Sequence, residues 1–333
     1  MIKCMFSLTV VIVLSLLAFV GAETAGFKAQ FLFGVVIPYT ALLVFVIGAI
    51  NRVIGWARSP VPFAIPTTAG QQKSLPWIKP ANLDNPTTTG GVFGRMFLEV
   101  FLFRSLFRNT KTQLSEGPKI SFNLEIFLWL AALAFHASFF AVLARHLRLF
   151  TEPVPFAIRM LEKVDGMMQV GVPGIMLSGF VLLAAVSYLL IRRIIIPQVK
   201  YISLIQDYFP LFLIIGIAAS GILMRHIFKI DVIGAKQLAM GLVTFHPVIP
   251  EGIGGIFYVH IFFVSVLLAY FPFSKLMHMG GIFMSPTRNL PGNTRAVRHV
   301  NPWNYPVHIH TYEEYEDEFR EKMIDAGLPV EKE

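Results

Sequence analysis

The chain has 333 residues, 55% hydrophobic and 14% charged, with a mean hydropathy of +0.64. That is too apolar for a soluble domain, and several runs reach the length of a membrane helix. The formal charge of +8 sits in loops beside apolar segments, so it is no nucleic-acid signal; the single cysteine, Cys4, excludes an internal disulfide, a cysteine zinc site, a self-contained iron–sulfur cluster and covalent haem attachment by paired cysteines.

Met1–Ala22 joins a basic start (Lys3) to an apolar run and the small residues Val-Gly-Ala before Glu23. This pattern fits a secretory signal peptide or a retained first membrane helix, and either puts Glu23 outside. Phe31–Ile54 is the next expected span. Gly55–Ser121 carries eight Lys/Arg (Arg58, Lys73, Lys79, Arg95, Arg104, Arg108, Lys111, Lys119) against three acids. The positive-inside rule makes it cytoplasmic. Pro60, Pro62, Pro66, Pro76, Pro80 and Pro86 keep its first half extended. Val92–Phe107 reads as an amphipathic helix on the membrane surface, with Phe and Leu inward and Arg95, Arg104 and Arg108 at its edge.

Phe122–Arg148 then runs outward. Leu149–Val170 is an outer loop, and Val172–Ile191 returns inward to Arg192, Arg193 and Lys200, a short basic loop that marks the cytoplasmic side. Leu204–Phe228 runs outward to His226. Lys229–Gly252 is an outer segment with His246 and Glu251, and Ile256–His278 descends. The tail Met279–Glu333 is soluble, with a basic part (Arg288, Arg295, Arg298, His299) and an acidic helix, Tyr312–Ala326. His308 and His310 before that helix are a weak metal signal. The expected fold is an all-α integral membrane protein, a bundle of five or six transmembrane helices. Residues 122–278 are its four-helix core, and the loop 55–121 and the tail 279–333 are cytoplasmic.

Four histidines lie within the core spans: His136 and His146, ten residues apart, and His260 and His278, eighteen apart. A continuous helix would put the second pair on one face about 27 Å apart, and the first about 15 Å apart in height. The two heights do not match, so tilted helices or a displaced start are needed. Antiparallel helices pair His146 with His260 and His136 with His278. Imidazole is an ordinary axial ligand for haem iron, and ionisable groups at membrane depth are usually functional. The four are therefore candidate axial ligands of two non-covalent haems b. Small residues beside them would admit a flat macrocycle: Ala132, Ala134, Ala137, Ala141, Ala144, Gly254, Gly255, Gly280 and Gly281. Arg145 and Arg148 are the candidate partners of the outer haem's propionates, and Arg104, Arg108, Arg192 and Arg193 those of the inner haem. His226, His246, Glu251, Lys163 and Asp165 are candidate proton acceptors at the outer end. A transporter would need inverted repeats and broken helices, and a haem-free anchor would need no histidines at depth.

The histidine spacings on two antiparallel helices resemble the dihaem gamma subunit of respiratory nitrate reductases, over Phe31 to His278. The strings GWARSPVPFAIPTTAGQQKSLPWIKP, TTGGVFGRMFLEVFLFRSLFRNT and FMSPTRNLPGNTRAVRHVNPWN resemble the DsrM family, the membrane cytochrome b of the DsrMKJOP complex of sulfate-reducing microbes. This second resemblance runs over nearly the whole chain. It implies His136, His146, His260 and His278 as ligands, and menaquinol as electron donor. It also implies a cytoplasmic iron–sulfur subunit resembling DsrK or a heterodisulfide reductase subunit, the other DsrMKJOP subunits as partners, and a link to sulfite reduction through DsrC. The nitrate reductase subunit lacks the long 55–121 loop.

Overall fold

A computed structural model describes residues 2–59, 61, 64–65, 70–117, 119–166, 174–294 and 308–331. Pro60, Pro62, Pro66, Arg295, Arg298 and His299 lie outside them. Among the described residues, six helical segments are long and apolar enough to cross a membrane. They contain α1 (Ile2–Thr24), α2 (Gly26–Ala57), α4 (Ile126–His146), α6 (Leu177–Ile195), α7 (Ile205–Leu223) and α9 (Gly255–Tyr270), the spans of α4, α7 and α9 running on to Leu149, Phe228 and Phe273. Between them lie α3 (Thr89–Leu102), α5 (Phe156–Asp165) and α8 (Val232–Val243), and α10 (Tyr312–Asp325) follows in the tail.

Helices α1, α7 and α9 pack on one another; α2 lies on α9, α6 on α7, and α4 on α6. Helix α1 buries Ser7, Val11, Ala18 and Ala22, a helical stripe of small residues that lets the backbones approach. It is tied at both ends. Lys3 Nζ donates to the Ser203 carbonyl (3.2 Å), and Glu23 Oε1 accepts the Gly255 N–H at the start of α9 (2.6 Å). Helix α2 contains a π-turn, Leu32–Val36, just before Pro38. Proline has no N–H to give the Gly34 carbonyl, and a wider turn absorbs the lost bond.

Three expectations about the helices are corrected. Residues Thr110–Ser115 (β1) and Lys119–Leu124 (β2) form an antiparallel hairpin, so the helix expected from Phe122 begins at Ile126. Glu116 and Gly117 lie in the turn, with Gly117 at φ +75°. The segment 229–252 holds helix α8, which buries Ala235, Leu238 and Ala239. The continuous helix expected over Ile256–His278 stops at Tyr270. A 3-10 turn Phe271–Phe273, extended Ser274 and a second 3-10 turn Lys275–Met277 then lead to His278. Pro272 removes a donor, and Ser274 Oγ accepts the Leu276 N–H (3.1 Å), which gives the backbone a non-helical partner. Pro272 is buried against Gly48 of α2, where a Cβ would stand 2.7 Å away.

Loop and tail meet at the His278 end of the bundle. Gly292 N–H donates to the Pro86 carbonyl (2.7 Å), Gln72 Nε2 donates to the Gly292 carbonyl (2.9 Å), and Arg288 pairs with Glu99 (2.6 Å).

Candidate metal centre between two histidine pairs

The break after Tyr270 resolves the mismatch in height. The ring centroids of His136 and His278 are 5.9 Å apart, with the planes at 82°. Those of His146 and His260 are 6.3 Å apart, with the planes at 12°. Helix α4 rests on α6 and α9 rests on α1, α2 and α7, so the helices that carry the rings are not close backbone neighbours.

Each imidazole spends its Nδ1 on the protein. His136 Nδ1 is 2.8 Å from the Ala132 carbonyl, His146 Nδ1 2.7 Å from that of Val142, and His278 Nδ1 2.8 Å from that of Lys275. A carbonyl only accepts, so these nitrogens carry the proton and Nε2 keeps its lone pair. His260 Nδ1 lies 2.9 Å from Ser220 Oγ, which itself donates to the Ile217 carbonyl (3.0 Å). The hydroxyl's one proton is thereby used, and His260 also donates from Nδ1. A metal-binding histidine characteristically gives its second N–H to such a partner. Two imidazoles on opposite sides of one metal place their centroids about 6.3 Å apart. That is twice a metal–nitrogen bond of about 2.0–2.1 Å plus roughly 1.1 Å to the ring centre. Both pairs fit such a group.

The surroundings differ from the expectation. Gly254 and Gly255 do not line a gap beside His260. Gly254 adopts φ +85° to start α9, and a Cβ on Gly255 would meet Glu23 Oε1 at 2.6 Å. The glycine beside His260 is Gly221 of α7, whose Cβ would stand 3.4 Å from the ring. Gly280 and Gly281 lie beside Trp56. Phe103 and Phe135 flank His136, with centroids at 4.9 and 5.0 Å. Sequence reasoning missed Ser220, Gly221 and Phe103; a Ser-Gly pair within an apolar span is the signal for the first two.

Arg145 and Arg148 point to the carboxylates of α5. Arg145 Nε lies 2.7 Å from Asp165 Oδ2 and its Nη2 donates to Ser178 Oγ (3.0 Å); Arg148 Nη1 donates to Glu162 (2.9 Å). Asp165 is buried, and its oxygens also accept the N–H and hydroxyl of Ser178, so it caps α6 and is not an open base. His226 is half-buried against Phe180, while Lys163, His246 and Glu251 are exposed. At the other end Arg192 pairs with Glu125 (2.7 Å), and Arg193 donates to Ser203 Oγ (3.0 Å). In the tail, ligand atoms of His308, His310 and Glu314 lie within 4.8 Å of one another, all on exposed residues.

Among the described residues, six apolar helices and two facing histidine pairs, with His278 just beyond the last helix, define an all-α integral membrane protein of the cytochrome b type. The chain belongs to the nitrate reductase gamma subunit family, whose sequence profile matches residues 91–299. It is similar to the Hdr-like menaquinol oxidoreductase cytochrome b-like subunit of Archaeoglobus fulgidus, 46% identical over 82% of this chain and 83% of that one. The protein of the same description from Archaeoglobus profundus is 42% identical over 80% of this chain and 81% of its own length.

Proposed function

We propose that the chain is a dihaem cytochrome b subunit that carries electrons from menaquinol to an iron–sulfur protein at the cytoplasmic face, in a DsrMKJOP-type complex of sulfur metabolism. The observation that carries this is the spacing of the two ring pairs, 5.9 and 6.3 Å, with every Nδ1 engaged and no Nε2 hydrogen-bonded among the described residues. Haem b supplies reversible one-electron storage when bound. His146 with His260 would hold the outer group, and His136 with His278 the inner one. The described bonds orient the rings and make them better donors. The phenyl rings of Phe103 and Phe135 pack edge-on against His136.

Menaquinol and a complex partner are supported by the relatives' description; DsrM identity is supported by the long loop and tail strings. The positive-inside count orients the 55–121 loop and the tail to the cytoplasm. There, clasped together, they offer a docking surface for a DsrK-like subunit, because a chain with one cysteine builds no iron–sulfur acceptor of its own. Quinol oxidation belongs at the outer pair. There His226, His246, Glu251 and Lys163 stand near water to take protons, while Asp165 fixes Arg145. Arg145 and Arg148 would share their charge between the α5 carboxylates and the outer propionates.

The test is a reduced-minus-oxidised spectrum with haem stoichiometry on the purified complex. Two haems b per chain are expected, with the inner one lost in His136→Ala and His278→Ala and the outer one in His146→Ala and His260→Ala. Two haems in every single variant would overturn the ligand assignment. A menaquinol analogue should fail to reduce the inner haem of His146→Ala at the normal rate; normal reduction would move the quinol site inward.

A further inference from the structure

Helix α3 buries a charge and exposes its aromatics. Phe93, Phe97 and Phe101 form one stripe, 72%, 58% and 61% exposed, and Arg95 on the opposite side is 5% exposed. The sequence pattern predicts Arg95 at the helix edge, and the structure buries it instead. The end of α3 is seated on α4. Trp129 Nε1 donates to the Leu102 carbonyl (2.7 Å), Phe107 packs on Trp129 (5.0 Å between centroids), and Phe103 contacts the His136 ring. Phe103 takes φ +49° to make this turn. Phe103 of the loop therefore covers the His136 ring, while His278 stays exposed, and Arg104 follows directly after the covering residue.

A buried arginine almost always has an anionic partner, because desolvating a charge without one costs several kcal/mol, as an order of magnitude. Among the described residues none gives Arg95 a hydrogen bond or an ion pair. Arg104 reaches Asp84 through Nη2 (3.1 Å), but its Nε is buried without a partner. The charged neighbours form one network. Arg104 and Arg108 share Asp84, Arg288 pairs with Glu99, and Arg95 senses Arg288, Glu99 and Asp84. Four arginines against two carboxylates leave an excess of two positive charges.

We infer that Arg95 and Arg104 form a carboxylate-binding site for the two propionates of the haem held by His136 and His278, so that the loop closes over that haem as its lid. The inference rests on the dihaem reading. Two propionates match the excess charge, and arginine is the donor whose paired N–H groups fit a carboxylate. The Arg288–Glu99 pair ties the same lid to the tail.

The experiment is an optical redox titration of the intact complex, with the inner haem defined as the one lost in His278→Ala. Arg95→Gln removes a cation that favours the reduced haem. Its midpoint should fall by about 59 mV, a roughly tenfold shift for one electron, while the outer haem does not move. Arg95→Lys should recover most of the shift. Glu99→Gln removes a competing anion and should raise the same midpoint. Unchanged midpoints in Arg95→Gln overturn the inference, as does release of a partner subunit with both midpoints intact, which would make the arginines a docking site. If Arg95→Gln does not assemble, Glu99→Gln decides, and no rise refutes the site. A wild-type complex without b-type haem fails the dihaem reading before any variant is made.

Discussion

Ser220→Ala probes the ligand assignment without touching a ligand. Three of the four imidazoles hand their Nδ1 proton to backbone carbonyls, which no substitution removes. His260 alone uses a side chain, Ser220 Oγ at 2.9 Å. The exchange deletes one buried oxygen and leaves the close contact at Gly221 intact. A net hydrogen bond of about 0.5–1.5 kcal/mol corresponds to roughly 20–65 mV in a one-electron potential. The sign follows from donation. An imidazole that gives away its N–H is the stronger base and favours the oxidised metal, so its loss raises the midpoint. The assay is an optical redox titration of the full complex, reading the haem that is absent in His146→Ala. A rise in that haem alone is expected. A shift below about 10 mV, or a shift confined to the other haem, would refute the tautomer and pairing argument.

Burial pushes the Asp84 carboxyl up, but Arg108 and Arg104 outweigh it and hold it below the ordinary carboxylate range. A depressed folded value means the contribution is complete above the unfolded pKa of about 3.9 and is lost as pH falls through the folded one. The 70–108 loop should therefore resist proteolysis until about pH 4, and Asp84→Asn should be cut at neutral pH; identical profiles would discount the anchor. Gly255→Ala puts a Cβ 2.6 Å from Glu23 Oε1 and 3.1 Å from Phe19. About 1–3 kcal/mol of stability should be lost, read as a lower Tm in detergent, with an unchanged Tm counting against the contact. Because α1 buries Ser7, Ala18 and Ala22 in the core, intact mass should find it retained; a protein starting at Glu23 would remove it from the bundle. Deleting residues 308–333 should release the iron–sulfur partner with both haems kept, and full co-purification would exclude the tail helix from docking.

The sequence alone set the spans, since about twenty apolar residues with few charges have no other inexpensive home. Run directions also followed from it: with α4 and α9 antiparallel, His146 meets His260 and His136 meets His278, and the structure brings those rings together. Hydropathy could not show how His278 arrives at the height of His136. Periodicity assumes an unbroken helix, whereas Pro272 and Ser274 break it and Gly48 of a distant span receives the proline. The hairpin of β1 and β2 escapes hydropathy, because β2 is exposed along its whole length and carries no buried stripe. Charge counts located the arginines but not their partners: Arg145 with Asp165, Arg192 with Glu125, and Arg95 with none of the described side chains. Composition and spacing are properties of one segment. Which group meets Ser220, or leaves Arg95 buried without an anion, depends on which segments become neighbours, and only the tertiary structure decides that.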